Sequence, residues 1–389
     1  MGTGAPPLPA GLPAVQRHSG SAAAAPAGTG AHMRVLMTCD AAGGVWTYAL
    51  DLARGLRRQG IDTVLAGFGA PPSAARMAEA RAVADLRWTG LPLDWTVPDR
   101  ADLAAVAPAL DALVAETGAD VLQVNAPSQA AGLTTRARVI AVTHSCVVTW
   151  FRAVRGSDVP PAWRWQRDLN AEGMARADQV LAPSRAHADL TARCYPAAGP
   201  VGVVPNAITP PAQGLHRQPF VYAAARWWDE GKDAATLDAA AAQTDWPVLA
   251  FGPVARDGVA AAAFHHAKAQ GSRPHADLRR AAAEAGIFIS PSVYEPFGLA
   301  ALEAAAGGAA LVLSDIPTYR EIWADAALFA PPGDAAAFAA RINDLSRNDQ
   351  LRARLAEAGQ RRARQFCPDR QARAMAALFG APHQERKLA

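Results

Sequence analysis

The feature that most constrains this chain is the segment IFISPSVYEPFGLAALEAAAGGAALVLSD, at residues 287–315. It begins with a short apolar run, residues 287–289, of the kind that forms a buried strand in a parallel sheet. A proline-containing loop follows, and Leu299 and Leu302 then lie at helical spacing. Gly307 and Gly308 stop this helix, and residues 310–313 form the next apolar run. The segment therefore predicts a strand–loop–helix–strand unit, typical of a doubly wound α/β domain.

The loop before this helix indicates an anion site. Pro296 suits the first helical position, where its missing N–H costs nothing, so Glu295 is predicted to be the N-cap. Phe297, Gly298 and Leu299 would then offer unpaired backbone N–H groups at the positive end of the helix dipole. A helix N-terminus above the carboxyl end of a parallel strand is a favourable place for phosphate.

Glu295 and Glu303 allow two other interpretations. Glu295 could be a plain helix cap, and Glu303 a solvated helix residue. They could also form the acid pair of a glycoside hydrolase, but helical residues eight positions apart are separated by about 12 Å along the axis. Retaining hydrolases need their carboxyl groups about 5–5.5 Å apart. The spacing therefore disfavours hydrolysis.

The pattern S-x-x-E-P-F-G-L-x-x-L-E-A at residues 292–304 resembles the signature of the retaining glycosyltransferases of family 4. The resemblance implies an α/β chain with the GT-B fold: two Rossmann-like, doubly wound parallel-sheet domains that face each other across a cleft. It implies that Glu295 binds hydroxyls of the donor sugar and that Glu303 holds the ribose hydroxyls of the nucleotide. The backbone of Phe297, Gly298 and Leu299 would contact the sugar and the diphosphate.

Residues 33–205 are predicted to form the N-terminal, acceptor domain, because short apolar runs alternate there with helical patterns. Strands are predicted at residues 34–39, 61–66, 121–124, 138–143 and 179–182, and a helix at 45–59. Gly43 and Gly44 lie between the first strand and this helix, and they do not form the G-x-G-x-x-G fingerprint of a dinucleotide site. They could be simple turn residues; the resemblance places them against the diphosphate and the acceptor pocket.

His144 follows the predicted strand 138–143, and the carboxyl end of a parallel strand is where ligands bind in such sheets. The resemblance implies that His144 contacts the donor sugar near its reacting carbon. The alternative is a hydrogen-bonded structural histidine.

Residues 206–365 are predicted to form the donor domain, which begins after a proline-rich hinge near residues 205–218. The resemblance matches Arg226 and Lys232 to a basic pair that grips the donor diphosphate. Fixed cations at the leaving oxygen can lower the barrier by roughly 3–4 kcal/mol. The two residues are six positions apart here, where the family has five. The alternative is a solvated ion pair with Asp229 or Glu230.

The remaining segments receive simpler interpretations. Glu321 either orients the site or is an exposed charge at a helix start. A final helix at residues 368–379 is predicted to cross back, so that residues 366–380 complete the first domain, followed by a tail at 381–389. Residues 1–32 are rich in Ala, Gly and Pro and are predicted to be a disordered leader. A signal peptide is the other reading, but its apolar stretch is short and weakly apolar.

Composition narrows the function classes. The chain of 389 residues has a net charge of only +3, which does not favour a nucleic-acid partner. No run of eighteen apolar residues predicts a membrane span, so contact with a membrane would be peripheral. Four cysteines without C-x-x-C spacing predict neither a zinc site nor a disulfide framework, and they favour a cytoplasmic location.

The sequence therefore predicts a retaining hexosyltransferase that uses a nucleotide-diphosphate sugar as co-substrate, without a cofactor or a metal site. The acceptor is a hydroxyl group on a saccharide, a lipid-linked sugar or a small molecule. Two alternatives remain: a nucleotide-sugar epimerase of the GT-B fold, or a non-catalytic nucleotide-sugar binder. The altered Arg226–Lys232 spacing favours the second of these.

Overall fold

The computed structural model describes residues 33–41, 43–211, 216–256 and 259–380. The predicted leader and tail, residues 1–32 and 381–389, lie outside the described residues. The described chain forms two parallel sheets, each with helices on both faces, and a short antiparallel hairpin. This is the predicted pair of Rossmann-like domains.

The first sheet contains strands β1 (Arg34–Asp40), β2 (Asp62–Phe68), β3 (Asp85–Trp88), β4 (Val121–Val124), β5 (Arg138–Val142), β6 (Gln179–Ala182) and β7 (Val201–Val203). The helices of this part are α1 (Gly44–Arg57), α2 (Ala74–Val83), α3 (Val106–Thr117), α4 (Val147–Trp150), α5 (Arg164–Arg176) and α6 (Arg185–Cys194). A single π-helical turn, Phe151–Arg155, continues α4.

The second sheet and its hairpin contain β8 (Gln218–Ala224), β9 (Val248–Phe251), β10 (Ala255–Arg256), β11 (Val259–Ala260), β12 (Lys268–Gly271), β13 (Ala285–Ser290), β14 (Ala310–Ser314) and β15 (Ala327–Ala330). The helices are α7 (Ala234–Ala241), α8 (His275–Glu284), α9 (Leu299–Gly307), α10 (Pro317–Trp323), α11 (Ala335–Arg347), α12 (Asp349–Ala363) and α13 (Pro368–Phe379).

The strand order of each sheet creates a place for a ligand. The first sheet runs β3-β2-β1-β4-β5-β6-β7 and the second runs β12-β9-β8-β13-β14-β15, with all strands parallel. The order reverses between β1 and β4 and between β8 and β13. At such a switch point the connections leave toward opposite faces, and a crevice opens at the carboxyl ends of the strands. Each domain therefore has one crevice.

Both faces of each sheet are buried, which explains why the strands read as continuous apolar runs. In β1, Leu36 packs into one core while Val35 and Met37 pack into the core on the other face. In β13, Phe288 and Ile289 are divided in the same way. Alternate residues of a strand point to opposite faces, so an apolar residue is needed at nearly every position.

The prediction that Glu295 caps helix α9 and that Pro296 is its first residue is wrong. The helix begins at Leu299, and Gly298 is its N-cap with a φ of 92°. This left-handed backbone is accessible mainly to glycine, so the chain turns there and the helix does not extend back to Pro296. A Cβ at position 298 would also lie 2.8 Å from the ring of Tyr319. Glu295 therefore lies in the loop before the helix.

The last helix, α13, packs on the first domain although it follows the second in sequence. Its residues Ala372, Met375 and Phe379 belong to the core that contains Leu52 of α1. The side-chain amide of Gln371 donates to the carbonyl of Pro205, 2.9 Å away, at the start of the connection between the two sheets.

Glu321 joins the two domains. Its two carboxylate oxygens accept hydrogen bonds from the backbone N–H groups of Arg185 and Ala186, at 2.8 and 2.7 Å. These are the first residues of α6, so Glu321 of the second domain caps a helix of the first and interacts favourably with its dipole. Glu321 is half-buried, and the interpretation as an exposed charge is wrong. None of the helices in the described ranges is long and apolar enough to cross a membrane.

We expect Gly298→Ala to destabilise the protein more than Gly60→Ala does. Both positions have a positive φ, of 92° and 73°, which costs alanine about 1–2 kcal/mol. A Cβ at position 60 meets nothing within 4 Å, whereas one at 298 meets Tyr319. In Gly298→Ala the clash should add about 1–3 kcal/mol to the loss of unfolding free energy. Urea denaturation of the two variants and the wild type would measure the losses. Equal losses would contradict the role given to the Tyr319 contact.

Candidate active site

A cleft of about 1000 Å³ lies between the carboxyl ends of the two sheets. It is lined by every residue that the sequence singled out for the site: Gly43, Gly44, His144, Arg226, Lys232, Glu295, Phe297, Gly298, Leu299 and Glu303. The two switch points thus open into one shared space, although these residues are distributed over 261 positions of the chain.

The glycine loop of the first domain is closely approached by the second domain. A Cβ at position 43 would lie 3.4 Å from Nη1 of Arg226, and a Cβ at position 44 would lie 2.9 Å from Cδ1 of Leu299. A side chain at position 44 would therefore have to displace the end of the Leu299 side chain. The guanidinium of Arg226 lies over the ring of Trp228, 5.3 Å from its centroid. Arg226 therefore extends across the cleft opening to the first domain.

The alternative that Arg226 and Lys232 form a solvated ion pair with their neighbours is wrong. Asp229 accepts a hydrogen bond from Nε1 of Trp150 at 2.8 Å, and Glu230 forms an ion pair with Arg155 at 2.6 Å. Trp150 and Arg155 both belong to the first domain, so these two carboxylates join the domains instead.

Lys232 reaches the cleft in spite of the six-residue spacing. A 3₁₀ turn, Glu230–Lys232, shortens the loop, and Asp233 follows it in the left-handed region with a φ of 52°. Nζ of Lys232 donates to Oε2 of Glu295 at 2.5 Å, and these side chains are only 15% and 16% exposed. The remaining N–H groups of the ammonium and the other oxygen of the carboxylate can still bind a ligand.

The amides at the start of α9 lie at the same end of the cleft. The first-turn N–H groups of a helix have no partner within it, and Leu299 and Ala300 both line the cleft. The buried side chain of Phe297 packs edge-to-face on Phe366, so it anchors the loop in the core. The helix, and with it the run of unpaired amides, thus begins three residues later than the sequence predicted.

Glu303 is held by a histidine that the sequence did not single out. Nε2 of His275, the first residue of α8, lies 2.9 Å from Oε1 of Glu303. This hydrogen bond raises the pKa of His275 above its ordinary value. The carboxyl group of Glu303, which lines the cleft, is therefore oriented by the first residue of α8.

His144 is a neutral side chain in a hydrogen-bonded network. Burial lowers its pKa to about 3, and the nearby His187 acts in the same direction. Its Nε2 lies 3.1 Å from Oδ1 of Asn125, whose amide nitrogen donates to the carbonyl of Thr38. Because that bond fixes the amide, Oδ1 faces His144, and Nε2 of the histidine carries the proton.

Several polar residues line the cleft that the sequence did not single out, and Asn125, Asn206 and Tyr294 are among them. Asn125 follows β4 at the switch point, so the rule that singled out His144 after β5 could have found it. Within the described chain, Oδ1 of Asn206 is buried without a hydrogen-bond partner. The hydroxyl of Tyr294 bonds Ser145 and Thr149 of the other domain, which no local pattern indicates.

In the described part of the chain, no cluster of three or more His, Cys, Asp and Glu side chains could hold a metal ion. The charged groups that line the cleft are arginine, lysine, glutamate and aspartate side chains, beside the amides at the start of α9. The arrangement can bind an anion beside a polyhydroxylated group, since cations, amides and carboxylates lie next to one another.

Comparison with known families supports this chemistry. The model of Glycosyltransferase Family 4 matches residues 42–210, and that of Glycosyl transferases group 1 matches residues 262–362. Together they match well over half of the chain, one in each domain. The chain belongs to the family 4 glycosyltransferases. The pattern S-x-x-E-P-F-G-L-x-x-L-E-A at residues 292–304 of this GT-B glycosyltransferase lies within the segment matched by the second model.

Curated relatives match over a short segment. O-antigen chain mannosyltransferase B of Escherichia coli is 38% identical over 93 residues, and the phosphatidyl-myo-inositol mannosyltransferase of Mycobacterium leprae is 36% identical over 95 residues. The two matches cover 24% and 23% of this glycosyltransferase, and 24% and 25% of the respective relatives.

Solved structures share the fold over nearly the whole described chain. Sucrose-phosphate synthase from Thermosynechococcus elongatus has a TM-score of 0.72 at 18% identity, covering 89% of this chain and 98% of its own. HepE of Anabaena, in complex with UDP and glucose, has a TM-score of 0.66 at 18% identity. The match covers 90% of this chain and 100% of the HepE chain. At this identity the similarity establishes the GT-B fold.

We predict that His187 makes the protein less stable in acid. His187 is 1% exposed, and burial lowers its pKa from 6.5 to about 4. Below pH 6.5 the unfolded chain binds a proton that the native state does not, so the stability present above pH 6.5 is lost as pH falls toward 4. His187→Gln should make the fall in unfolding free energy shallower by up to about 1.4 kcal/mol per pH unit. Parallel stability curves from pH 7 to 4.5 would contradict this.

Proposed function

We propose that the protein is a retaining glycosyltransferase, which moves a hexosyl group from a nucleotide-diphosphate sugar to a hydroxyl acceptor. The observation that carries this proposal is the convergence of Arg226, Lys232, Glu295 and Glu303 on one cleft, opposite a glycine loop. No single domain contains the whole arrangement, so the reaction would occur between the domains.

The positions of the charged groups favour one orientation of the donor in this cleft. The diphosphate would lie against Arg226 and the first-turn amides at Leu299, where positive charge is concentrated. The ribose would lie at Glu303, and the sugar between His144 and the Lys232–Glu295 pair. Gly43 and Gly44 would let the first domain approach the diphosphate without a side chain in the way.

Transfer of the sugar requires stabilisation of the negative charge that develops on the diphosphate. The bond from the anomeric carbon to the diphosphate oxygen breaks, and negative charge grows on that oxygen. Arg226 and the amides of α9 are fixed before the reaction, so they stabilise this charge without reorganisation. One such donor is typically worth about 3–4 kcal/mol. The nucleotide sugar is a co-substrate in this scheme, and no cofactor takes part.

His144 supports a mechanism in which the donor itself accepts the proton. With a pKa of about 3, the side chain of His144 is a weak base at neutral pH. It is not an imidazolium there, so it cannot act as a general acid. The acceptor hydroxyl would attack the face from which the diphosphate leaves, and its proton would pass to an oxygen of the departing diphosphate. His144 would bind the sugar as a neutral hydrogen-bonding group.

The comparisons agree with this class of reaction. The curated relatives are mannosyltransferases, and HepE was solved with UDP and glucose. The six-residue spacing of Arg226 and Lys232 was the feature that favoured a non-catalytic binder. Because Lys232 lines the cleft and contacts Glu295, that support is removed.

We expect Arg226→Ala to weaken nucleoside diphosphate binding about 10- to 100-fold, because a charge-assisted contact contributes roughly 1.5–3 kcal/mol. Calorimetry with UDP, GDP and ADP would measure this and identify the base. Arg361→Ala, on the exposed surface of α12, is the matched control and should bind as the wild type does. A wild type that binds none of the three would exclude the proposed function.

Retention is tested by the anomeric configuration of the product. We expect the new glycosidic bond to have the same configuration as the donor, read from the anomeric proton coupling by NMR. An inverted product would refute same-face attack. Conversion of the donor sugar to its epimer without any acceptor would identify an epimerase instead.

A further inference from the structure

Trp163 has an unusual position. Among the described residues it is the one large apolar side chain that is exposed, at 40% of its surface, and it lines the cleft. A lone exposed apolar residue on a surface needs no explanation. Trp163 is different because it extends a row of aromatic rings that continues into the cleft.

The row is formed by Trp150, Phe151 and Trp163, which we call the aromatic platform. The ring centroids of Phe151 and Trp163 are 6.1 Å apart, and those of Trp150 and Phe151 are 5.2 Å apart at an interplanar angle of 73°. All three residues line the cleft. Phe151 begins the π-helical turn, and such turns occur frequently at functional sites. The platform is thus a preformed apolar wall on the first domain.

The platform is attached to the loop that holds the donor-side cation. Nε1 of Trp150 donates to Asp229, and a Cβ at position 231 would lie only 3.2 Å from that nitrogen. Gly231 is followed directly by Lys232, which binds Glu295. The platform therefore has a fixed position relative to the Lys232–Glu295 pair, where a transferred sugar would lie.

The charged side chains that line the cleft beside the platform have partners, whereas Arg164, the exposed neighbour of Trp163, is not among the lining residues. Arg155 lies 5.7 Å above the ring of Trp150, and its charge is paired with Glu230 at 2.6 Å. Asp94 lines the same wall as a buried carboxyl group that accepts from the side chain of Asn170, and burial raises its pKa. An anionic acceptor would find no uncompensated cation at this wall among the residues named. A hydroxylated ring would find both an apolar face and hydrogen-bonding groups.

From this geometry we infer that the aromatic platform is the acceptor subsite and that its acceptor is a neutral glycoside, whose sugar ring stacks on Trp163. The C–H face of a pyranose is apolar and flat, so it matches an exposed indole while its hydroxyl groups stay hydrogen-bonded. The inference rests on the proposed function and names the acceptor class for the same cleft.

The test is binding, measured apart from turnover. Saturation-transfer difference NMR would titrate the methyl glycosides of glucose, mannose and galactose onto protein saturated with the nucleoside diphosphate that binds most tightly. Trp163→Ala should weaken glycoside binding about 3- to 10-fold, the range typical of one aromatic contact. Trp163→Phe should recover part of this affinity because it keeps a ring.

Arg164→Ala is the matched control, since Arg164 is the exposed neighbour of Trp163. It should leave glycoside binding unchanged. Loss of affinity in Arg164→Ala but not in Trp163→Ala would place the glycoside away from the aromatic platform and overturn the inference. Wild-type protein that binds the nucleotide but none of the glycosides would also overturn it. Failure to bind any nucleotide would instead reject the proposed function.

Discussion

The close approach of the two domains at the glycine loop sets the geometry of the whole site. Gly44 lies against Leu299 at the start of α9, and Gly43 lies near the guanidinium of Arg226. A side chain at position 44 would displace the end of Leu299 and occupy space in this part of the cleft. Two ordinary doubly wound sheets, each with its own crevice, thereby become one site whose groups come from both domains.

Charge pairing is the second constraint. Lys232 is paired with Glu295, Glu303 with His275, and Arg155 with Glu230. The side chains of Lys232 and Glu295 are mostly buried, and a buried charge without a partner is costly, so their pairing offsets this cost. A diphosphate sugar could replace part of each interaction while leaving the groups satisfied. The Arg155–Glu230 pair and the Trp150–Asp229 bond also connect the aromatic platform with the donor side.

The outline of the fold could be predicted from the sequence because it depends on local patterns, and the residues singled out for the site all line one cleft. Buried parallel strands appear as apolar runs, and α13 was predicted with its observed bounds. The start of α9 was predicted wrongly. Pro296 favours the first turn of a helix, but the left-handed conformation of Gly298 makes the helix begin at Leu299. A propensity is a weak preference, whereas the contact of Gly298 with Tyr319 is a steric requirement.

By itself the sequence determined the alternation of strands and helices, the family resemblance, and the identity of residues such as Arg226, Glu295 and Glu303. Only the tertiary structure decided the strand order, the partner of each charge and the side of the cleft on which each residue lies. Glu321 capping α6, His275 holding Glu303 and Trp150 binding Asp229 each join segments that are far apart in sequence. Side-chain periodicity reports which face of an element is buried, but it carries no information about which distant element covers that face.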